Sequence, residues 1–381
     1  MSNVDKLSVE SEQPVRLCNY VYVYKSDVIN PSDNSMMATA RSDEISRFHL
    51  EAGDTVLTKD SEDPTDIGIS AYVSSSANDF VCGYHLAIAR PYEGTHPRYL
   101  TWATRSRPVL DHFTNNSNGI SRYGLSTNGL MSTPIPFPDF EDQRRIAEFL
   151  DDRVARIDRI IAARRQQVAL YEGMRRRQLS DLLVTPSDGW TKGPLRRFMI
   201  SEDYRRVPLS AEERANQQGT FPYYGASGVI DYVDDLLFSE PRVLLSEDGA
   251  NLLMRSTPIS FVAKGNYWVN NHAHVLRPLD EAYDFWAARI EAMDIDSWIS
   301  GSAQPKLTIE AAMSLPVSAP QNLDARIDLG EEVKRIGTEI STITTNLLKQ
   351  IDLLQEYKQS LITAAVTGEL DVTTASTRIP E

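Results

Sequence analysis

At 381 residues the chain has room for about two to three domains, and its net charge of −14 argues against a simple DNA binder, whose phosphate contacts call for a basic face. Two cysteines, Cys18 and Cys82, are too few for a disulfide framework and point to a reducing cytoplasm. No run reaches the ~18 apolar residues of a membrane span and the polar N-terminus does not read as a signal peptide, so a soluble cytoplasmic protein with no membrane partner is expected.

Residues 1–140 predict a first folded domain. Short β-branched or aromatic runs, such as 20–24, are cut by Gly, Asn, Asp and Pro, the pattern of a loop-rich mixed α/β unit. Residues 141–185 predict a long helix: there is no proline, and Ala147, Leu150, Val154, Ile157, Ile161, Val168 and Tyr171 follow the alternating spacing of a helix-pair seam. The run 185–189 (TPSDG) breaks it. Residues 186–322 predict a second mixed α/β domain, with strand-like runs at 229–232, 243–245 and 259–262.

Residues 323–368 predict a second long helix, in which Val333, Ile340, Leu347, Leu354 and Leu361 step by heptads beside Ile336, Ile343 and Tyr357. Each helix would measure roughly 60 Å at ~1.5 Å per residue. So narrow a stripe needs a partner stripe. The nearest is the other helix of the same chain, packed as an antiparallel coiled coil; another protein or a second copy is the alternative. Residues 369–381 read as a flexible tail. The fold class is therefore α+β: two tandem mixed α/β domains, each followed by a long helix.

The two halves repeat. Gly119-Ile-Ser-Arg-Tyr-Gly-Leu125 lies over Gly301-Ser-Ala-Gln-Pro-Lys-Leu307, and the same offset pairs Met131 with Met313, Pro134 with Pro316 and Pro138 with Pro320. Upstream, residues 85–91 (HLAIARP) match 272–278 (HAHVLRP), and 56–60 (VLTKD) resemble 244–248 (LLSED). Matches in one order at so long a period indicate a duplicated domain rather than a solenoid.

Several segments resemble a known family. The run 137–151 (FPDFEDQRRIAEFLD) followed by Ala155-Arg-Ile-Asp158 is similar to the start of the central helix in type I restriction–modification specificity subunits. Residues 353–368 (LLQEYKQSLITAAVTG) look like the end of the distal helix, and 259–272 (ISFVAKGNYWVNNH) and 57–63 (LTKDSED) resemble segments of the two recognition domains. The second helix lacks the Glu-Gln-Arg opening of the first.

The resemblance implies that 1–140 and 186–322 are target-recognition domains, each reading one half of a bipartite double-stranded DNA target, with the helices setting the spacer. It implies partners: two DNA adenine methyltransferase subunits and restriction motor-nuclease subunits. No cofactor is expected on this chain; S-adenosylmethionine, ATP and Mg would belong to the partner subunits. The chain itself would be non-catalytic.

Reading bases takes paired donors and acceptors on loops that reach a groove. In the first domain the candidates are Lys59, Asn115, Asn116, Asn118, Ser121, Arg122 and Tyr123. In the second they are Tyr223, Tyr224, Ser227, Lys264, Asn266, Asn270, Asn271, Ser302, Gln304 and Lys306. Arg122 aligns with Gln304, as suits two domains reading different bases. Helix-capping loops and tight turns are the plainer account of the same residues, with a hairpin whose Tyr267 and Trp268 are core as the plainer account of 264–272, and Trp268 reads as core. His85 and His272 read as structural histidines. On the helices, Gln143, Arg144, Arg145, Asp151, Arg156, Tyr357 and Lys358 are candidate docking positions; intrahelical ion pairing is the plainer account of the charged ones. By region the charge is about −6 over 1–140, +2 over 141–185 and −6 over 186–322, so grip on DNA would lean on partners.

An enzyme reading finds little support. No dinucleotide or triphosphate glycine loop is present, nor the Asn-Pro-Pro-aromatic signature of adenine methyltransferases. Residues 270–274 (NNHAH) hint at a metal-dependent nuclease but lack nearby sequence ligands. A scaffold of two protein-binding modules without a DNA role would suit the acidic balance.

Overall fold

A proline-free run with one apolar stripe folds as a single helix and buries that stripe. In the computed structural model, which describes residues 1–31, 35–184, 189–301 and 304–374, the first long helix is Phe140–Leu183 and the second Leu323–Thr367. The chain forms two compact units, one of Met1–Arg165 with Lys349–Glu381 and one of Gln166–Leu348. The division falls inside both helices, so each unit owns one α/β domain and a stretch of each helix. Residues 185–188 of the expected linker and 375–381 of the expected tail lie outside the described residues.

In the first unit a four-stranded sheet runs Val28–Ile29, Ser70–Val73, Thr55–Thr58, Leu86–Ala89, and a three-stranded sheet runs Met36–Ala40, Gln13–Cys18, Phe80–Cys82. Thr55–Thr58 is antiparallel to both its neighbours, whereas Gln13–Cys18 is parallel to Phe80–Cys82. Val15, Leu17, Val56, Phe80 and Val81 share one buried cluster. Cys18 and Cys82 are buried there as free thiols, and burial pushes Cys82 up to about 12.

The first helix begins where the Asp139 carboxylate accepts from the Asp142 amide (2.9 Å), an N-terminal cap. Ala147, Leu150, Val154, Ile157 and Ile161 then bury against Ile351, Leu361, Ile362, Ala365 and Val366 of the second helix, with Tyr99 and Trp102 from Pro97–Thr104 closing the cluster. The Lys358 ammonium meets Asp158 at 2.8 Å. The ordered chain continues past the second helix: the Leu370 amide donates to the Ala364 carbonyl, and Leu370 and Val372 pack on the same cluster. Residues 369–374 are therefore anchored, which corrects the expectation of a loose tail starting at 369.

The second unit repeats the plan. Its four-stranded sheet runs Met199–Ser201, Ala273–Pro278, Arg242–Ser246, Ser260–Ala263, with Arg242–Ser246 antiparallel to both neighbours. Its three-stranded sheet sets Gln218–Gly225 antiparallel to Gly228–Val233 and parallel to Trp268–Val269. Trp190–Pro194 pairs with Pro316–Pro320 in addition. Val243, Leu245, Phe285, Trp286 and Ile290 form the core, and Leu179, Leu182, Leu183, Ile327 and Val333 bring the helix stretches onto it. Low-numbered residues of the first helix meet high-numbered ones of the second in the first unit, and the order inverts here. Among the described residues no helix is long and apolar enough to cross a membrane.

Candidate nucleic-acid interface

Both domains place the same framework at one edge of the central strand. In the first, the Lys59 amide donates to the His85 carbonyl (3.0 Å) and the Leu125 amide to the Lys59 carbonyl (2.7 Å). In the second, the Glu247 amide donates to the His272 carbonyl (2.9 Å) and the Leu307 amide to the Glu247 carbonyl (2.8 Å). These are the residues that the repeat aligns. Beside each framework stands a carboxylate–imidazole pair: Asp60 Oδ1 to His85 Nδ1 at 2.6 Å and Asp248 Oδ2 to His272 Nδ1 at 2.9 Å.

The aligned glycines explain the loop that follows. Gly119 (φ +151°) and Gly301 (φ +86°) hold backbone conformations that side chains rarely adopt, and a Cβ on either would overlap the carbonyl of the residue three positions on, Arg122 or Gln304. In the first domain the residue three positions on, Arg122, lies against the Asp–His pair. The Arg122 guanidinium closes on it, with Nη2 at 2.8 Å and Nε at 3.2 Å from Asp60 Oδ1, and Nη2 at 2.9 Å from His85 Nδ1. Burial pulls the His85 imidazole below its ordinary value, against the upward pull of Asp60. In the second domain Gln304 is exposed, and Ser302 lies outside the described residues.

Three predicted contacts are buried and committed to the fold. Tyr223 is 1% exposed, and its hydroxyl accepts from the Leu209 amide at 2.9 Å. Asn270 is buried, and its Oδ1 accepts from the His272 amide at 2.8 Å. Gln143 is buried, donating to the carbonyls of Gly94 and Pro138 and accepting from the His96 amide, so it ties the first domain to the helix start rather than offering a docking handle. A polar side chain on a strand or helix can face inward whenever backbone groups there need partners, and spacing alone does not reveal that need.

Other candidates hold structural bonds. The Lys59 ammonium donates to the Ser2 carbonyl, the Asn116 amide group caps the preceding helix through His112, and Lys264 pairs with Asp284. Tyr224 packs against Phe261 and Tyr267; Trp268 is core as expected, and Tyr267 is buried too. Asn115, Asn118, Ser121, Ser227, Asn266 and Asn271 are exposed, and Tyr123 is half-buried. On the helices, Arg144 pairs with Glu141 and Glu148, Arg145 with Asp142, and Arg156 with Asp152. Asp151 accepts from Arg98 and the Trp102 indole, and Tyr357 packs into the helix seam.

Around His274 the structure supplies the carboxylates missing from the local sequence: ligand atoms of Asp203, Glu247 and His274 lie within 4.8 Å of one another. The donors are already taken. Arg206 reaches Glu247 at 2.7 Å and Asp203 at 3.1 Å, Lys306 reaches Glu247 at 3.0 Å, and His274 uses Nδ1 on Asp203 and Nε2 on the Leu307 carbonyl. Burial alone would raise Glu247, but Arg206 and Lys306 outweigh it and hold the carboxyl below its usual range. This is a half-buried ion-pair network around the buried His274 that fastens the loop of Lys306 to the sheet.

The second half is similar to known proteins. Residues 200–362 match the family model of the type I restriction modification DNA specificity domain, and 141 residues are 27% identical to a protein named as the type I restriction enzyme specificity subunit S.HindORF215P of Haemophilus influenzae. Over these residues the chain is similar to type I specificity subunits. That alignment covers 37% of this chain and 34% of the relative, so the chain matches about a third of that protein's length. For the fold, a chain solved in work on complex assembly and conformational transition of the type I R-M system aligns with a TM-score of 0.73 and 14% identity, over 96% of both chains. The family match lies on the second domain and distal helix; the shared hydrogen-bond framework extends the likeness to the first domain.

The sequence left Asp60, Asp248 and Arg206 out of the site. A signal for two of them was present, since Asp60 and Asp248 align in the repeat just as His85 and His272 do. Nothing in the spacing singles out Arg206.

Proposed function

We propose that the chain is the DNA-specificity subunit of a type I restriction–modification complex: its two domains each read one half of a bipartite duplex target, and it is not itself a catalyst. One observation carries this reading. The same Asp–His pair, a positive-φ glycine at the aligned position and the same backbone bonds occur twice, yet the exposed side chain three positions after that glycine is Arg122 in one domain and Gln304 in the other. A conserved frame with an exchanged donor–acceptor tip suits two readers of different bases, because Arg pairs with guanine and Gln with adenine in the major groove.

Both domains are acidic, so the partners supply the grip on phosphate: two adenine methyltransferase subunits, joined by motor-nuclease subunits for cleavage. S-adenosylmethionine, ATP and Mg belong to those subunits. Half-buried Arg144 and exposed Arg145 and Arg156 on the first helix offer charged docking positions. The test is co-production with the adenine methyltransferase of the same system in a host lacking other adenine methylation. Methylated adenine within one recurring split motif is expected; a stable complex that methylates nothing would contradict the reading.

A further inference from the structure

Arg122 is held unlike a phosphate-binding arginine. A single carboxylate oxygen of Asp60 accepts from both Nε and Nη2, and Asp60 is in turn fixed by His85. The anchor is sheltered, with the Asp60 side chain 19% exposed, whereas that of Arg122 is 52% exposed. The His85 ring lies against Tyr84 and meets Tyr20 edge-on, which limits its rotation. Asp60 thus occupies the Nε side of the planar guanidinium. Nη2 also lies 2.9 Å from His85 Nδ1, while among the described residues no hydrogen bond reaches Nη1, so Nη1 keeps both of its donors and the fork that it makes with Nη2 is held in place by His85.

Charge selects what that fork takes. A phosphate oxygen brought against it would also approach the Asp60 carboxylate, and like charges repel. A neutral base edge carries no such penalty. Of the four base edges in the major groove, guanine alone offers two adjacent acceptors, O6 and N7, to a two-donor fork. Ile120, 97% exposed on the same loop, adds an apolar tip of the kind that packs on bases or thymine methyls inside a groove. In the second domain Asp248 pairs with His272 and no arginine stands at the aligned position.

We infer that Arg122 reads a guanine in the half-site of the first domain, with Asp60 and His85 as positioning residues that aim its guanidinium. This rests on the DNA-specificity reading above and adds the base and the residue that reads it.

The test is selection of randomised DNA duplexes by the full chain in complex with its methyltransferase subunits, followed by sequencing of the bound pool. The native complex should enrich guanine at one position of one half-site. Arg122→Ala should lower that preference by about 10- to 100-fold, the range of one bidentate base contact, and leave the other half unchanged. Arg122→Lys should keep binding overall yet lose the guanine, because an ammonium cannot make the paired contact. Asp60→Asn should weaken the preference at that same position and nowhere else, a change that a merely structural role would not produce. A uniform loss of affinity in Arg122→Ala with the motif intact would overturn the inference and leave the DNA-specificity reading standing. A native complex that enriches no motif would overturn both.

Discussion

Replacing Arg206 with alanine tests whether the ion-pair network under the Lys306 loop is structural. Arg206 bonds Glu247 at 2.7 Å, Asp203 at 3.1 Å and the Ala273 carbonyl at 2.9 Å, and all three charged side chains are 13–16% exposed. Removing one partner of a buried pair costs about 3–5 kcal/mol, because the remaining charge is left without compensation. Lys306 and His274 still face the two carboxylates, so the lower end, about 3 kcal/mol, is expected. In a body of this size that lowers the melting temperature by roughly 6–12 °C.

The pH dependence carries a sign. Glu247 and Asp203 both titrate below their ordinary values; burial opposes this, and hydrogen bonds from Arg206 and Lys306 to Glu247 and from His274 to Asp203 outweigh it. Their contribution is complete above the unfolded values of about 4.3 and 3.9 and is lost as pH falls through the lower folded values. The gap between the native protein and Arg206→Ala should therefore be full at pH 7 and narrow below about pH 4. Tryptophan fluorescence during denaturation is the assay, since Trp190, Trp268, Trp286 and Trp298 all lie in the second unit. A loss within about 0.5 kcal/mol at pH 7, the range of an ordinary surface change, or a gap that stays constant with pH, would refute this account of the network.

Other substitutions separate packing from recognition. Ile157→Ala, in the fully buried helix seam, should destabilise by about 2–5 kcal/mol in chemical denaturation, whereas Leu170→Ala on the exposed side of the same helix should stay within about 0.5 kcal/mol. Tyr223→Phe should cost about 1–3 kcal/mol through the unsatisfied Leu209 amide and leave the methylated motif unaltered; a changed motif would restore Tyr223 as a contact. Without partners the acidic chain should bind its target weakly, and nanomolar specific binding by the purified chain at physiological salt would refute the dependence on methyltransferase subunits.

Both helices were legible in the sequence to within a residue or two, because a proline-free heptad stripe leaves few alternatives. The duplication was legible too, and its aligned glycines, Gly119 and Gly301, both take positive φ. Burial of individual polar residues was not. Asn270 and Gln143 read as surface amides, yet each is drawn inward by backbone amides and carbonyls that only the folded chain brings near. The partners of Arg122 and His274 were hidden for the same reason: Asp60 lies 62 positions from Arg122, and Asp203 lies 71 from His274.

The central claim is that the two loops read different halves of one target. The most direct measurement is the methylation map of a host carrying this chain with its methyltransferase, compared with Arg122→Ala and Gln304→Ala. The account predicts that Arg122→Ala relaxes one half-site and Gln304→Ala the other. Two variants that alter the same half, or a map that neither one changes, would contradict it.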